Sequence, residues 1–192
     1  NTERPTLTLN EIELGVNYAL VISTNGGLWR YIIGDTIQFT SRYPFRIRVT
    51  GRTNQFINSF GEEVIEDNVN KAFNAACLNT KAELKEYTGA PIYMQENQTG
   101  GHEWLVEFEK EPENLTYFIQ KFDEELKKRN SDYEAKRVND LIMRAPIIRI
   151  LPKGTFYDWL KSKGKLGGQN KVPRLSNNRE LIDEINSFIC VY

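Results

Sequence analysis

The sequence predicts an α+β protein in which an antiparallel β-subdomain is followed by a small mixed α+β domain. Short apolar runs separated by glycine and asparagine turns fill the first fifty residues, a pattern typical of antiparallel strands. After Arg52 the pattern changes to apolar residues at helical spacing, interspersed with longer strand-like runs. We therefore place the domain boundary between residues 1–52 and 53–192.

The first domain is predicted to be an antiparallel meander or part of a barrel. Its strand-like runs are residues 6–12, 18–24, 28–33, 37–40 and 45–50. The chain starts at Asn1, with no initiator methionine and no targeting signal. We expect it to be the carboxy-terminal portion of a longer protein, with residues 1–52 as the last β-subdomain of a truncated amino-terminal domain.

The second domain is predicted to start with a hairpin around Gly61, formed by residues 55–60 and 62–65. Helical spacing follows at Val69, Phe73, Ala76 and Cys77. Two strand-like runs, 82–95 and 102–109, are positioned to pair with each other. The Gly-Ala-Pro sequence at 89–91 is expected to interrupt the first of them.

The remaining elements are predicted from apolar stripes and capping residues. A helix ending near Asn130 has its stripe at 115, 118, 119, 122 and 126, and residues 147–151 form a short apolar strand. Thr155 and Asp158 predict a capped helix start, and Gly164 its end. Asn177 with Glu180 predicts the cap of a final helix.

Composition excludes several classes of partner. The 25 Lys and Arg residues balance 26 Asp and Glu residues, so no basic surplus indicates nucleic acid. No apolar run approaches the roughly 20 residues that a membrane-spanning helix needs. The two cysteines, Cys77 and Cys190, with no signal peptide, favour a reduced cytoplasmic compartment.

The segment 28–35 ends in Gly34-Asp35 and indicates half of a nucleotide site. A carboxylate such as that of Asp35 can accept two hydrogen bonds from a vicinal diol, which a ribose presents. Arg52, after Gly51, adds donors suited to a ribose oxygen or a phosphate. A plain turn at Gly34-Asp35 and a solvated strand face at Arg52 are the alternative interpretations.

A second candidate lies in the glycine-rich loop 164–174, which contains Lys171. A lysine on such a loop can reach a phosphate that another domain presents, and an ordinary solvated lysine is the alternative. His102 is the only histidine. With two cysteines it forms no metal cluster, so we predict a structural role for it and no metal site in the protein.

Four segments resemble the carboxy-terminal signatures of the adenylate-forming superfamily. They are Tyr31-x-x-Gly34-Asp35, Gly51-Arg52-x-Asn54, Gly61-Glu62-x-Val64 and the lysine loop. The closest likeness is to the auxin-responsive acyl-acid amido synthetase family. It is carried by residues 26–31, 101–102, 126–137, 154–156 and 169–174.

The resemblance implies an ATP-dependent carbon–nitrogen ligase that adenylates a carboxylic acid and transfers the acyl group to an amino acid. It implies ATP with Mg²⁺, the metal being held mainly by phosphates and water, and a mobile carboxy-terminal lid domain. It also implies residue roles: nucleotide binding by Tyr31, Gly34, Asp35 and Arg52, a hinge at Asn54, catalysis by Lys171, and an acceptor-side loop at Ser59, Phe60 and Gly61.

Two departures from the plant pattern, Ile32 in place of arginine and Asn170 in place of tyrosine, favour a bacterial branch. Two alternatives stay open: a ligase that forms a thioester with coenzyme A, and a nucleotide-binding or interaction domain without catalysis. Because the phosphate loop and the acid pocket of the family lie upstream, we predict that residues 1–192 alone do not turn over substrate.

Overall fold

The computed structural model describes residues 6–53, 55–96, 98–165, 167 and 170–191. Within it the chain forms two compact units, Asn1–Asn54 and Gln55–Tyr192. Among the described residues, no helix is both long and apolar enough to cross a membrane.

The first unit contains a three-stranded antiparallel sheet in the order β1 (Asn17–Ile22), β2 (Tyr31–Arg42), β3 (Phe45–Arg52). Ile12, Ile37 and Phe39 form its small core. The predicted meander is confirmed, but the separate runs predicted at 28–33 and 37–40 overlap one strand, β2, which starts at Tyr31. The predicted strand at 6–12 is wrong. There Glu11 accepts hydrogen bonds from the amide and hydroxyl of Thr8, which favours a local turn over an extended strand.

The second unit starts with the predicted hairpin around Gly61, shortened to β4 (Phe56–Ile57) and β5 (Val64–Ile65). Helix α1 (Glu66–Thr80) follows and buries the apolar face that its spacing predicted. A second sheet has the order β6 (Glu83–Ile92), β7 (Gly101–Lys110), β8 (Ile147–Leu151). β6 and β7 pair antiparallel as predicted, while β7 and β8 pair in parallel, which the sequence pattern did not indicate.

Strand β6 continues through the Gly-Ala-Pro sequence, so the predicted interruption is wrong. A Cβ atom on Gly89 would overlap the indole ring of Trp104, and glycine therefore allows β6 to cross that ring. Pro91 lies near the end of the strand, where one missing amide donor is tolerated.

Helices cover both faces of this sheet. Helix α2 (Leu115–Arg129) has the predicted stripe and packs with α1 against Trp104, Val106 and Phe108 of β7. The short helix α3 (Ser131–Lys136), which was not predicted, is followed by a 3₁₀ turn at Val138–Asp140. Helices α4 (Thr155–Ser162) and α5 (Glu180–Val191) pack on the opposite face, around Leu105.

Both predicted caps on that face are wrong. Gly154, and not Thr155, is the cap of α4, and the carboxylate of Glu107 accepts hydrogen bonds from the amides of Gly154 and Phe156. Helix α5 starts at Glu180, whose amide donates to the side chain of Asn178. The side chain of Asn177 instead accepts from the amide of Asn58 at 2.8 Å.

Candidate active site

Asp35 and Arg52 are direct partners across β2 and β3, at the end of the pairing between these strands. The Nε atom of Arg52 lies 3.5 Å from Oδ1 of Asp35. The side chains are 65% exposed for Arg52 and 34% exposed for Asp35. An ion pair this exposed stabilises the fold by about 1 kcal/mol at most. Both charged groups therefore remain available to a ligand at little energetic cost.

A bulge in β2 presents Asp35. Ala19 of β1 pairs with Thr36 and Val21 pairs with Ile32, so residues 33–35 of β2 lie opposite the single residue 20 of β1. Gly34 adopts a φ of 92° there, a left-handed conformation that glycine accommodates without strain. Bulges of this kind redirect side chains and recur next to functional sites.

The end of β3 is fastened to the same bulge. The amide of Thr53 donates to the carbonyl of Gly34 at 2.7 Å, and the Thr53 hydroxyl contacts the same oxygen at 3.2 Å. These bonds set the spacing of Asp35 and Arg52. Tyr31 lies at the first position of β2 and is exposed. The arrangement can present a carboxylate to a diol and a guanidinium to an adjacent oxygen.

Lys171 belongs to the second unit, where its side chain is exposed. The chain that follows it runs beside β6. The carbonyl of Pro173 accepts from the Thr88 hydroxyl at 2.7 Å, and the amide of Gly89 donates to the carbonyl of Arg174 at 2.9 Å. Val172 is buried against α4 and α5. Lys171 is thus held by an ordered segment on its carboxy-terminal side.

The guanidinium of Arg174 fixes that segment to α1. Its Nη1 lies 3.1 Å from Oε1 of Glu66 and 2.9 Å from Oδ1 of Asn70, and the group sits 5.2 Å from the centre of the Tyr87 ring. Burial acts to lower the pKa of Arg174, but the neighbouring Tyr87 and the two glutamates Glu86 and Glu66 raise it overall. Arg174 therefore stays charged.

The loop Ser59–Gly61 is organised by a residue that the motif contained but that sequence reasoning did not select. The buried Glu62 carboxylate accepts from the amides of Ser59 at 3.1 Å and Phe60 at 2.7 Å, and from Nε2 of His102 at 2.9 Å. Burial acts to raise the pKa of Glu62, but the hydrogen bond and charge of His102 and the Phe60 amide lower it overall. His102 is itself buried in the core.

Sequence reasoning also missed a buried network behind this loop. Arg137 donates to Asp123 through Nε at 3.0 Å and Nη2 at 2.9 Å, and the Tyr133 hydroxyl donates to Asp123 at 2.7 Å. The one available signal was the position of Asp123, an acidic residue on the flank of the apolar stripe of α2.

Of the candidate residues, the structure brings together Asp35 and Arg52 with Gly34. Lys171 and the loop Ser59–Gly61 lie in the other unit, and Asn54 falls outside the described residues. Within the described ranges, no three His, Cys, Asp or Glu side chains are grouped as metal ligands.

Two solved structures share this fold over about a third of their own length. The structure of the GH3.15 acyl acid amido synthetase superposes with a TM-score of 0.73 at 21% sequence identity, covering 93% of this chain and 34% of that one. A 2-hydroxyisobutyryl-CoA ligase in the postadenylation state superposes with a TM-score of 0.54 at 12% identity, covering 94% and 36%.

Residues 67–180 match the GH3 family C-terminal domain and residues 1–52 match the GH3 family central domain, and the chain belongs to the GH3 family. This confirms the amido synthetase family that the motifs indicated. The indole-3-acetic acid-amido synthetase GH3.3 of Arabidopsis thaliana is 29% identical over 97% of this chain. The 4-substituted benzoates-glutamate ligase GH3.12 of the same plant is 25% identical over 86%. The chain spans 33% and 32% of these relatives, about a third of their length.

Proposed function

We propose that this chain is the carboxy-terminal part of an ATP-dependent acyl-acid amido synthetase. In the first step a carboxylate oxygen of the acid attacks the α-phosphorus of ATP and pyrophosphate leaves. In the second step the amine of an amino acid attacks the acyl carbon and AMP leaves. The observation that carries the proposal is the exposed Asp35–Arg52 pair on the bulge of β2, in the region that matches the GH3 central domain.

The ribose and a phosphate are the groups that this pair is suited to bind. The Asp35 carboxylate accepts hydrogen bonds from the ribose hydroxyls, Arg52 donates to a ribose oxygen or a phosphate, and Tyr31 and Gly34 shape the site. Lys171 approaches the phosphates during adenylation and stabilises the charge that develops there. Mg²⁺ would accompany ATP and would be held mainly by phosphate oxygens and water.

The two units take different parts in this proposal. Residues 1–52 complete a large adenylating domain, and residues 53–192 form a lid that turns about Asn54 between the two steps. In the second step the loop Ser59–Gly61 lines the acceptor side. We further propose a cytoplasmic protein from a bacterial branch of the family, on the basis of Ile32 and Asn170.

A second candidate function is thioester formation with coenzyme A as the acceptor. The likeness in fold to a CoA ligase favours it. Both candidates share adenylation, so the dependence of product formation on an amino acid or on coenzyme A separates them.

The test is carboxylate-dependent exchange of labelled pyrophosphate into ATP by the full-length protein. Lys171→Ala is expected to lower the exchange rate by at least about tenfold, because one stabiliser of developing charge is removed. Lys165→Ala, at another exposed lysine of the same loop, is the matched control and is expected to stay within about twofold of the wild type. Equal rates in both variants would contradict the role of Lys171. Absence of exchange with every acid of a broad aryl and alkyl panel would contradict adenylation.

A further inference from the structure

We propose that Glu62 and His102 are positioning residues for the amide-forming step: together they hold the loop Ser59–Gly61, here called the acceptor loop, in the conformation that meets the amine. The inference rests on the proposed function and assigns a task to two residues that contact the loop from inside the fold.

Glu62 is the centre of the arrangement. Its side chain is 0% exposed, and three donors surround the carboxylate. Oε1 accepts from the Ser59 amide and from Nε2 of His102, and Oε2 accepts from the Phe60 amide. A buried carboxylate is stable only when donors replace its lost water. Two of these donors are backbone amides of the acceptor loop, so the loop conformation and the burial of the charge depend on each other.

His102 supplies the donor that the loop itself does not provide. Its ring lies between Trp104 and Tyr133, with ring centres 5.9 and 5.6 Å away. Within the part of the chain that the structure describes, Nδ1 of His102 is buried without a hydrogen-bond partner. An ionised carboxylate only accepts hydrogen bonds, so Nε2 carries the hydrogen between the two groups. The ring therefore serves to orient Glu62.

The rest of the loop is held from two further sides. The Asn130 side chain donates to the carbonyls of Glu62 at 2.8 Å and Glu63 at 3.2 Å. The Phe60 ring packs against Gly100 so closely that a Cβ atom there would overlap it. Ser59 is half-buried and Gly61 is exposed. The loop thus presents a fixed outer surface, and a preordered loop loses less conformational entropy when an acceptor binds.

The test uses the full-length protein and separates the two half-reactions. Glu62→Gln keeps the size of the side chain but removes one acceptor oxygen, and the adjacent exposed Glu63→Gln is the matched control. Pyrophosphate exchange reports adenylation, and amide formation at varied amino acid concentration reports the acceptor step. Hydrogen exchange at the Ser59 and Phe60 amides reports the loop independently of activity.

For Glu62→Gln we expect kcat/KM for the amino acid to fall at least about tenfold while pyrophosphate exchange stays within about twofold. Hydrogen exchange at the Ser59 and Phe60 amides should accelerate at least about tenfold, since one of them loses its acceptor. Glu62→Asp, which retains both oxygens, should recover part of each loss. His102→Phe should change the same quantities in the same direction and carries the test if Glu62→Gln does not fold.

Two results overturn the inference alone. In the first, Glu62→Gln and Glu63→Gln of an active enzyme have the same kcat/KM for the amino acid and the same loop hydrogen exchange. In the second, Glu62→Gln and His102→Phe lower the rates of both half-reactions equally. The second result means a general structural role. A wild-type protein without pyrophosphate exchange overturns the proposed function, and the acceptor role with it. Loop hydrogen exchange would then show separately whether Glu62 holds the loop.

Discussion

Replacing Asp123 by alanine should destabilise the second unit more than any exposed ion-pair substitution. Asp123 and Arg137 have side chains only 10% and 5% exposed, and they form a two-point ion pair. Tyr133 and Lys127 also bond to the Asp123 carboxylate, each at 2.7 Å. Removing one partner of such a buried pair costs about 3–5 kcal/mol, because the remaining charge stays buried.

The estimate of the lost stability includes the lost hydrogen bond from Tyr133. Arg137 still donates to the Met143 carbonyl at 2.6 Å, which limits the loss of stability. We therefore predict about 3–5 kcal/mol for Asp123→Ala. Glu109→Ala, which breaks an ion pair with Lys153 whose side chains are 56% and 59% exposed, is the control and should cost under about 1 kcal/mol.

Urea unfolding followed by tryptophan fluorescence measures both values. Trp104 and Trp159 are buried in the second unit, whereas Trp29 is 81% exposed and should contribute little signal change. If Asp123→Ala and Glu109→Ala lower the free energy of unfolding equally, the buried network does not contribute the stability assigned to it.

Three further outcomes follow from single contacts. Burial acts to raise the pKa of Asp123, but the hydrogen bonds from Arg137 and its neighbours lower it overall below its ordinary value of 3.8. The stabilisation is therefore present above pH 3.8 and is lost as the pH falls through the lower pKa of the folded state. Urea titrations from pH 7 to 2 should show a smaller loss of unfolding free energy in Asp123→Asn than in the wild type. Gly89→Ala should cost about 1–3 kcal/mol in thermal or urea unfolding, because its methyl group overlaps Trp104. Arg174→Ala should lower pyrophosphate exchange by about tenfold, because Lys171 loses the anchor of its segment.

Each of these outcomes has a control variant or a result that would contradict it. An undiminished acid decline in Asp123→Asn would assign the pH dependence to other carboxylates. Gly26→Ala, where a methyl group would meet the Thr24 hydroxyl at an ordinary 3.6 Å, should cost less than Gly89→Ala. Arg46→Ala, at an exposed strand position, should leave pyrophosphate exchange unchanged. An equal effect from Arg46→Ala and Arg174→Ala would contradict the anchoring role of Arg174.

Local patterns predicted most of the fold. The stripe of α2, the hairpin around Gly61 and the β6–β7 pair depend on neighbours in the sequence, and all three are confirmed. The parallel pairing of β7 with β8 was missed because it joins segments separated by two helices. The caps of α4 and α5 were misplaced because the distant Glu107 accepts from the first amides of α4, and Asn178 accepts from the first amide of α5.

The same distinction holds for the candidate sites. Asp35 and Arg52 could be selected from the sequence because each directly follows a glycine after a strand-like run, and the structure pairs them across β2 and β3. The bulge that presents Asp35 was read as a gap between two strands, since alternation breaks at Gly34. Glu62 and His102 lie 40 residues apart, and no local period relates them. Only the folded core brings them together.

Identification of the product formed by the full-length protein decides whether it is an amido synthetase. The protein is incubated with ATP, a panel of carboxylic acids, and either amino acids or coenzyme A, and the products are identified by mass spectrometry. We expect an amide that forms only with both the acid and the amino acid, with one AMP released for each amide, and less of it in Asp35→Asn. A thioester formed only with coenzyme A, or ATP binding without any acyl product, would contradict this expectation.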